Sequence, residues 1–200
     1  MRQILVAAAS CLVVASSSVA APAAQSSIEA RLQKLEDLQA IEVLIVGQYS
    51  TALDTRDWKA LGNLFTEDGV LDFVSQESGP TPFVSYKGRD GIPKGLSGPP
   101  PANAPKSAPR LDGPPGGAPP TGSAPPGGPI RVRHIITNPT ITLNGDTATA
   151  TTYLSEEGRL PDGKRMNGIT GHYADELRRV GGKWYIARRV IYDYDLPEKK

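Results

Sequence analysis

The chain is almost without cysteine and has few histidines. Its one cysteine, Cys11, lies in the N-terminal segment, and its two histidines are His134 and His172. Removal of that segment would exclude disulfides, thiol nucleophiles and cysteine-ligated metals. The two histidines also lack a neighbouring histidine or glutamate at ligand spacing, which argues against a metal site. We therefore expect no metal site.

The chain also lacks an excess of charge of either sign. It has 22 basic and 21 acidic residues, and loss of Arg2 with the N-terminal segment would make the two counts equal. Proteins that bind nucleic acid or an anionic membrane surface concentrate basic residues. The sequence therefore predicts neither nucleic acid nor a stable membrane anchor among its partners.

The N-terminus has the pattern of a secretory signal peptide. Arg2 gives a short positive start, an uncharged apolar run extends from Ile4 to Val14, and small residues follow as far as Ala24. The apolar run is too short for a good membrane span. We expect residues 1–24 to be removed on export, either to a periplasm or to the outside of the cell. A lipoprotein anchored through Cys11 is the less favoured alternative.

A proline- and glycine-rich stretch interrupts the chain at residues 98–129. It contains 12 prolines and 7 glycines. Such a composition cannot bury enough apolar surface to offset the entropy lost on ordering, so we expect a flexible insertion. A spacer is favoured over a proline-rich tract that binds a partner. The remainder of residues 28–196 has the size of one ordinary domain.

Helical periodicity dominates the first half of that domain. Apolar residues recur at helical spacing from Leu38 to Leu53, and a second short helix follows, with Asp57 placed to cap it. Residues 70–74 form an apolar strand pattern. Gly88–Ile92 is typical of the entry to a third, brief helix.

The second half of the domain predicts hairpins. Residues 131–143 have the composition of a strand, and Asn144-Gly145 is a strong signal for a two-residue turn. Three further strands are expected to end at Leu154, Val180 and Tyr194. Helices followed by hairpins predict an α+β domain in which helices pack on one face of a curved sheet.

Asp54 and Tyr49 are the candidate acid–base residues of the first half. A carboxylate in the last turn of a helix faces the negative end of the helix dipole, and an apolar pocket would add desolvation. Both effects would raise the pKa of Asp54 and favour a general base, but Asp54 could also simply end the helix. Tyr49 lies about 140° away around an α-helix. The two side chains converge only if the helix ends or bends near Leu53; otherwise Tyr49 is an ordinary core residue.

His134 is the candidate residue of the second half. On its predicted strand it shares a face with Val132, Ile136 and Asn138, so it is either a core histidine or part of a pocket. His172 lies on the opposite face of its strand from Tyr173, and the sequence does not say which face is buried.

Arg188 and Arg189 alternate on the last strand. One of them is therefore expected to point inward, where a buried guanidinium needs a carboxylate partner.

Taken together, these patterns resemble the SnoaL-like domains of the nuclear transport factor two-like superfamily. The resemblance rests on the runs Leu38–Asp68, Gly88–Ile92, Arg133–Pro139, Gly171–Leu177 and Trp184–Arg189. It implies a cone-shaped, curved antiparallel sheet wrapped by three N-terminal helices around a deep, mostly apolar pocket. It also implies a homodimer. The long insertion and the predicted export depart from the family pattern.

The resemblance extends to the candidate residues. In several lyases of the superfamily, a tyrosine and an aspartate of the first helix face a histidine of the first long strand, and Tyr49, Asp54 and His134 fall on those positions. These lyases often add a carboxylate or a histidine on the next strand. Here that strand is mostly threonine and alanine until Glu156-Glu157.

The function implied is that of an exported, cofactor-independent lyase or isomerase, of the dehydratase type, acting on a small hydrophobic cyclic or polyketide-like molecule. Asp54 and His134 would share the proton transfers, and Tyr49 would donate a hydrogen bond to the developing oxyanion. The residues expected to bind the substrate are Trp58, Phe73, Asn138, Tyr173 and Arg189. The alternatives are a non-catalytic exported module that binds a small ligand in the same pocket, and an interaction protein.

Overall fold

The computed structural model describes residues 22–75, 81–98, 131–159 and 165–194. The chain divides into two compact units, residues 1–35 and 36–200. In the first unit, residues 22–35 are helical, and Ile28, Leu32 and Leu35 are exposed. Nearly all of the predicted signal peptide and of the 98–129 insertion lies outside the described residues.

The helical elements are α1 (Pro22–Glu42), a π-helical segment (Val43–Gln48), α2 (Tyr49–Thr55), α3 (Trp58–Asn63) and α4 (Gly91–Ser97). The π-helical segment joins α1 to α2 without a break. After α2, Arg56 adopts the left-handed conformation with φ 56°. The Asp57 carboxylate then accepts a hydrogen bond of 2.9 Å from the Ala60 N–H, which confirms the predicted cap of α3. No described helix combines the length and apolar character needed to cross a membrane.

Six strands form one sheet. They are β1 (Phe65–Ser75), β2 (Val84–Lys87), β3 (Arg131–Asn144), β4 (Thr147–Arg159), β5 (Arg165–Val180) and β6 (Lys183–Asp193). Their order is β2-β1-β6-β5-β4-β3, and β3 to β6 pair antiparallel as predicted. The α+β fold is thus confirmed, with the difference that β1 runs parallel to β6 and the sheet is mixed. Strand direction for this pair has no local signal, because no hairpin connects the two strands.

The core of the second unit lies between the helices and one face of the sheet. On α2, Tyr49, Ala52 and Leu53 are buried, and on the sheet alternate residues such as Tyr173 and Leu177 of β5 are buried with them. The predicted helical stripe therefore faces the sheet, as helical periodicity requires.

Two of the irregularities in strand pairing, on either side of β4, bear on the surroundings of His134. Between β3 and β4 the pairing passes from Thr137 with Tyr153 to Thr140 with Thr151, so two β3 residues lie opposite one residue of β4. Pro139, which lacks an N–H, lies in this bulge, where a proline is tolerated within a sheet. Between β4 and β5, the residues flanking Glu156 pair with Thr170 and Asn167, so two β5 residues lie opposite Glu156.

Candidate active site

His134 of β3 contacts Asp54 in the last turn of α2. Its ring Nδ1 lies 2.7 Å from Asp54 Oδ1, and its backbone N–H donates to the same oxygen at 3.0 Å. Since a carboxylate oxygen accepts, Nδ1 carries the proton. Two bonds from one residue to one oxygen fix both the strand and the imidazole against the end of α2. The predicted approach of Asp54 and His134 is therefore present in the structure.

The other ring nitrogen of His134 faces a second carboxylate, Glu156 of β4. Nε2 lies 3.2 Å from Glu156 Oε1, and these side chains are 3% and 4% exposed. Glu156 Oε2 accepts a bond of 3.3 Å from the Ile169 N–H. Gly168 leaves room for this carboxylate, because a Cβ at position 168 would overlap it. The bulge in β5 thus forms a cradle for Glu156.

The two carboxylates determine the charge of the imidazole. Burial by itself would lower the pKa of His134, but the hydrogen bonds and negative charges of Asp54 and Glu156 outweigh burial and raise that pKa to about 9. His134 is therefore an imidazolium at neutral pH, with a proton on each ring nitrogen. In this state it is a proton donor and not a base.

Asp54 is only partly buried: its side chain is 26% exposed, against 3% for His134. The sequence left open whether Asp54 points into an apolar pocket or ends its helix. In the structure, the deeply buried carboxylate of the group is Glu156. The physical reason is that Asp54 sits at the end of its helix, whereas Glu156 lies on the helix-facing side of the sheet.

Tyr49 lies deeper in the core, in a cluster around Arg189. The Arg189 guanidinium carbon lies 3.8 Å from the ring centre of Tyr49 and 4.3 Å from that of Tyr173. Burial raises the pKa of Tyr49 against the opposing effect of Arg189, and the charges of Asp175 and Glu156 add to the increase. The sequence predicted that Tyr49 would approach Asp54 only if the helix ended or bent near Leu53. Because α2 continues to Thr55, the two side chains are not brought together.

Arg189 is the inward-facing member of the arginine pair, and its partner is Asp175. Two hydrogen bonds of 2.7 Å join them, and both side chains are fully buried. Asp175 raises the pKa of Arg189 further above its ordinary value, although burial acts in the opposite direction. Arg188 turns to the other face and donates to Asp72 at 2.9 and 2.7 Å. The expectation of one inward arginine with a carboxylate partner is confirmed.

The remaining predicted binding residues are dispersed. Tyr173 belongs to the Arg189 cluster, and Trp58 is half-buried against the core. Phe73 of β1 packs against the rings of Phe83 and Tyr86, with centroid distances of 6.2 Å to each. Asn138 is exposed, and its φ of 53° places it in the β3 bulge. The prediction that Asn138 shares the face of His134 was therefore wrong, because the bulge breaks the alternation assumed for a regular strand.

His172 lies on the face of β5 opposite Tyr173. Its ring stacks on Tyr192 with a centroid distance of 4.4 Å, and Tyr194 hydroxyl contacts its Nδ1. Partial burial lowers the pKa of His172. The two histidines therefore differ in both surroundings and charge, and only His134 has the environment of an acid–base residue.

Glu156 is the site residue that the sequence did not reveal as a partner of His134. The two-residue turn is Gly145-Asp146, one residue on from the predicted Asn144-Gly145, and it pairs Asn144 with Thr147. An uninterrupted ladder from there would place Glu157 opposite His134. The bulge shifts the pairing by one residue and brings Glu156 into that place. Pro139 within a strand was the available signal, because prolines inside sheets occur at edges and bulges.

The fold and the site together define a class: an α+β protein in which helices cover a curved sheet and a buried histidine lies between two carboxylates. Within the described part of the chain, no set of three histidine, cysteine or acidic side chains could hold a metal ion. The chain belongs to the SnoaL-like domain family, whose model matches residues 33–190. Among curated proteins, none matches it significantly.

Solved structures share the fold. An NTF2-like protein with a cystatin-like fold from Novosphingobium aromaticivorans is 25% identical, with a TM-score of 0.60 over 86% of this chain and 92% of its own. A protein provisionally named an aromatic ring hydroxylase from the same organism is 26% identical, with a TM-score of 0.53 over 82% of this chain and 92% of its own. One provisionally named a scytalone dehydratase, also from that organism, is 23% identical, with a TM-score of 0.54 over 82% and 91%. At that identity, the last likeness shows the fold alone.

Proposed function

We propose that the protein is a cofactor-independent lyase or isomerase of the dehydratase type, acting on a small hydrophobic cyclic or polyketide-like molecule. The observation that carries this proposal is the buried His134, hydrogen-bonded through both ring nitrogens to Asp54 and Glu156. Such a set holds a proton donor beside two proton acceptors, which is what acid–base catalysis of an elimination needs.

The reaction that fits the group is loss of water from a β-hydroxy carbonyl compound. A carboxylate, Asp54 or Glu156, removes the proton from the carbon next to the carbonyl. The electron pair of the broken C–H bond then forms the new C=C double bond. The hydroxyl group leaves with a proton from the His134 imidazolium, as water. Tyr49 stays protonated because burial raises its pKa. Since Tyr49 lies against Arg189 and not beside Asp54, it can donate a hydrogen bond to the developing oxyanion only if the substrate carbonyl points toward the Arg189 cluster.

An exchange experiment tests the proton transfer without knowledge of the natural substrate. The protein is incubated in D₂O with 2-tetralone, an enolisable cyclic ketone, and loss of the α-proton signal is followed by NMR. Asp54→Asn/Glu156→Gln, which removes both candidate bases, is expected to reduce the catalysed rate by about 100-fold or more. His172→Gln, which changes a histidine outside the group, should leave the rate near that of the wild type. Exchange no faster than in buffer, or unaffected by Asp54→Asn/Glu156→Gln, would contradict the proposal.

A non-catalytic module that binds a small ligand is the second candidate. The observation that favours it is that both nitrogens of His134 are already occupied by carboxylates, as in a histidine that serves to hold structure. This candidate predicts that apolar cyclic compounds raise the melting temperature although no proton exchange is catalysed. An interaction protein would instead lose its partner on deletion of residues 98–129.

Export and dimer formation complete the proposal. Export is supported by the N-terminal pattern of residues 1–24. The dimer is supported by the family to which the chain belongs. Sedimentation equilibrium of the mature protein tests the dimer, since a mass of one chain at micromolar concentration would refute it.

A further inference from the structure

The π-helical segment Val43–Gln48 stands immediately before the helix that carries Asp54. The backbone N–H of Tyr49 is shared between the Leu44 carbonyl, five residues back, and the Val46 carbonyl, three residues back. In an α-helix the same N–H would donate to the carbonyl of Ile45, four residues back. A wide turn of this kind accommodates one more residue than an α-helix would place between the same two ends.

The Ile45 carbonyl accepts a hydrogen bond from the sheet. Arg189 Nη2 donates to it at 3.3 Å. Asp175 holds the guanidinium with two bonds of 2.7 Å, and the ring of Tyr49, the first residue after the segment, lies against it. Arg189 is itself completely buried, so its position is fixed on several sides.

We propose that Arg189 is a positioning residue for the acid–base group: it stabilises the wide turn that sets the register in which α2 presents Asp54 to His134. Each residue of an α-helix turns the next side chain by about 100°. If Val43–Gln48 closed into α-helical turns while α1 stayed in place, α2 would rotate by about one such step. Asp54 would then leave His134.

The contact with the helix separates this role from general stabilisation. A buried ion pair is weak evidence for stability in itself, because desolvation offsets much of its attraction. The bond from Arg189 to the Ile45 carbonyl is different, since it supplies a donor to the carbonyl that Tyr49 N–H would use in an α-helix. The catalytic meaning of this positioning rests on the proposed function, but the positioning is a property of the free protein.

The test removes the ion pair as a unit in the full chain. Arg189→Met/Asp175→Leu replaces both charges by apolar groups, which avoids leaving one buried charge unpaired. The pKa of His134 is followed by NMR through its imidazole signals, with His172 as the internal reference. We expect it to fall by about one unit or more, because Asp54 no longer faces the ring. Asp54→Asn gives the size of fall expected for complete loss of that charge.

Deletion of Gly47 is the rescue. Gly47 is exposed, and a Cβ added there would meet no atom within 4 Å. A segment shortened by one residue can close as an α-helix while both flanking helices keep their register. In the Arg189→Met/Asp175→Leu background, the deletion is therefore expected to return the His134 pKa close to that of the wild type. Gly47→Ala keeps the chain length and serves as the matched control, with no change expected.

Two results would overturn the proposal. One is an unchanged His134 pKa in Arg189→Met/Asp175→Leu. The other is a lowered His134 pKa that deletion of Gly47 does not restore although the NMR signals of the sheet are intact. The change would then come from disruption of the core and not from the register of α2. If the double variant does not fold, the Gly47 deletion alone decides: a wild-type pKa supports the proposed register and a lowered one overturns it. No substrate enters these measurements, so a failed 2-tetralone assay leaves them unaffected.

Discussion

Raising the pH from about 6 to about 9.5 is expected to destabilise the folded protein through one group, His134. In the unfolded chain its imidazole has an ordinary pKa of about 6.5. In the folded protein Asp54 and Glu156 hold the proton, and the pKa is about 9. The folded state therefore binds a proton more tightly than the unfolded state does. The resulting stabilisation is complete below about pH 6.5 and is lost as the pH rises through about 9.

The size of the effect is set by the pKa difference. At about 1.4 kcal/mol for each pKa unit, a shift from 6.5 to about 9 corresponds to about 3 kcal/mol. The His134 side chain is only 3% exposed, so screening by solvent removes little of it. Domains of this size have unfolding free energies of about 5–15 kcal/mol, and the loss would be a large fraction of the total.

Urea denaturation at a series of pH values measures the effect, with His134→Gln as the reference protein. Subtracting the two curves cancels the groups that do not contact His134. His172, whose pKa is lowered by burial, costs stability only as the pH falls below about 6.5, and the buried tyrosines act above about pH 10. The wild type should lose about 3 kcal/mol more than His134→Gln between pH 6.5 and 9.5. Parallel curves over that window would refute the reasoning.

Three further outcomes are expected. Gly168→Ala forces a methyl group into the place of the Glu156 carboxylate. The free energy of unfolding, measured in urea, should fall by about 1–3 kcal/mol, and the pKa of His134, measured by NMR, should also fall; an unchanged pKa would count against the cradle. Asp57→Ala removes the cap of α3 and should cost about 1 kcal/mol in the same assay while leaving the His134 titration in place. Expression with the N-terminus intact should yield an exported protein whose mass corresponds to loss of about 24 residues, whereas a full-length product would contradict a cleaved signal peptide.

Much of the fold was predictable because its signals are local. Helical spacing from Leu38 onward, the cap at Asp57 and the hairpin signalled by Asn144-Gly145 each depend on a few neighbouring residues. The structure confirms all three, with the turn itself one residue further on, at Gly145-Asp146. The parallel pairing of β1 with β6 was not predictable in this way. It joins segments separated by more than a hundred residues, and direction depends on how the whole sheet assembles.

The candidate site was predictable only in part, for a related reason. Asp54 and His134 were candidates because each occupies a recognisable place, a helix end and the start of a long strand, and the resemblance to SnoaL-like domains paired them. The pairing of Glu156 with His134 and the exposure of Asn138 both result from the bulge in β3. Its extra residue changes the pairing partners, and the face of the sheet, of the β3 residues before it relative to those after it. A one-residue change in register reverses every assignment beyond it, and only Pro139 marks its position in the sequence.

The arrangement of the three site residues constrains the chemistry more than their identities do. A histidine with one free nitrogen could take a proton from a substrate, but His134 has a carboxylate at 2.7 Å from one ring nitrogen and another at 3.2 Å from the other. Both nitrogens therefore donate at neutral pH. In the proposed elimination, the base is therefore a carboxylate and His134 supplies the proton. Glu156 is buried, and its charge adds to the increase in the pKa of Tyr49 and Tyr173 that burial causes. It is therefore the carboxylate that shares the interior with the proposed oxyanion donor. Asp54, on the other side of the ring and partly exposed, is placed to hold the imidazole in this state.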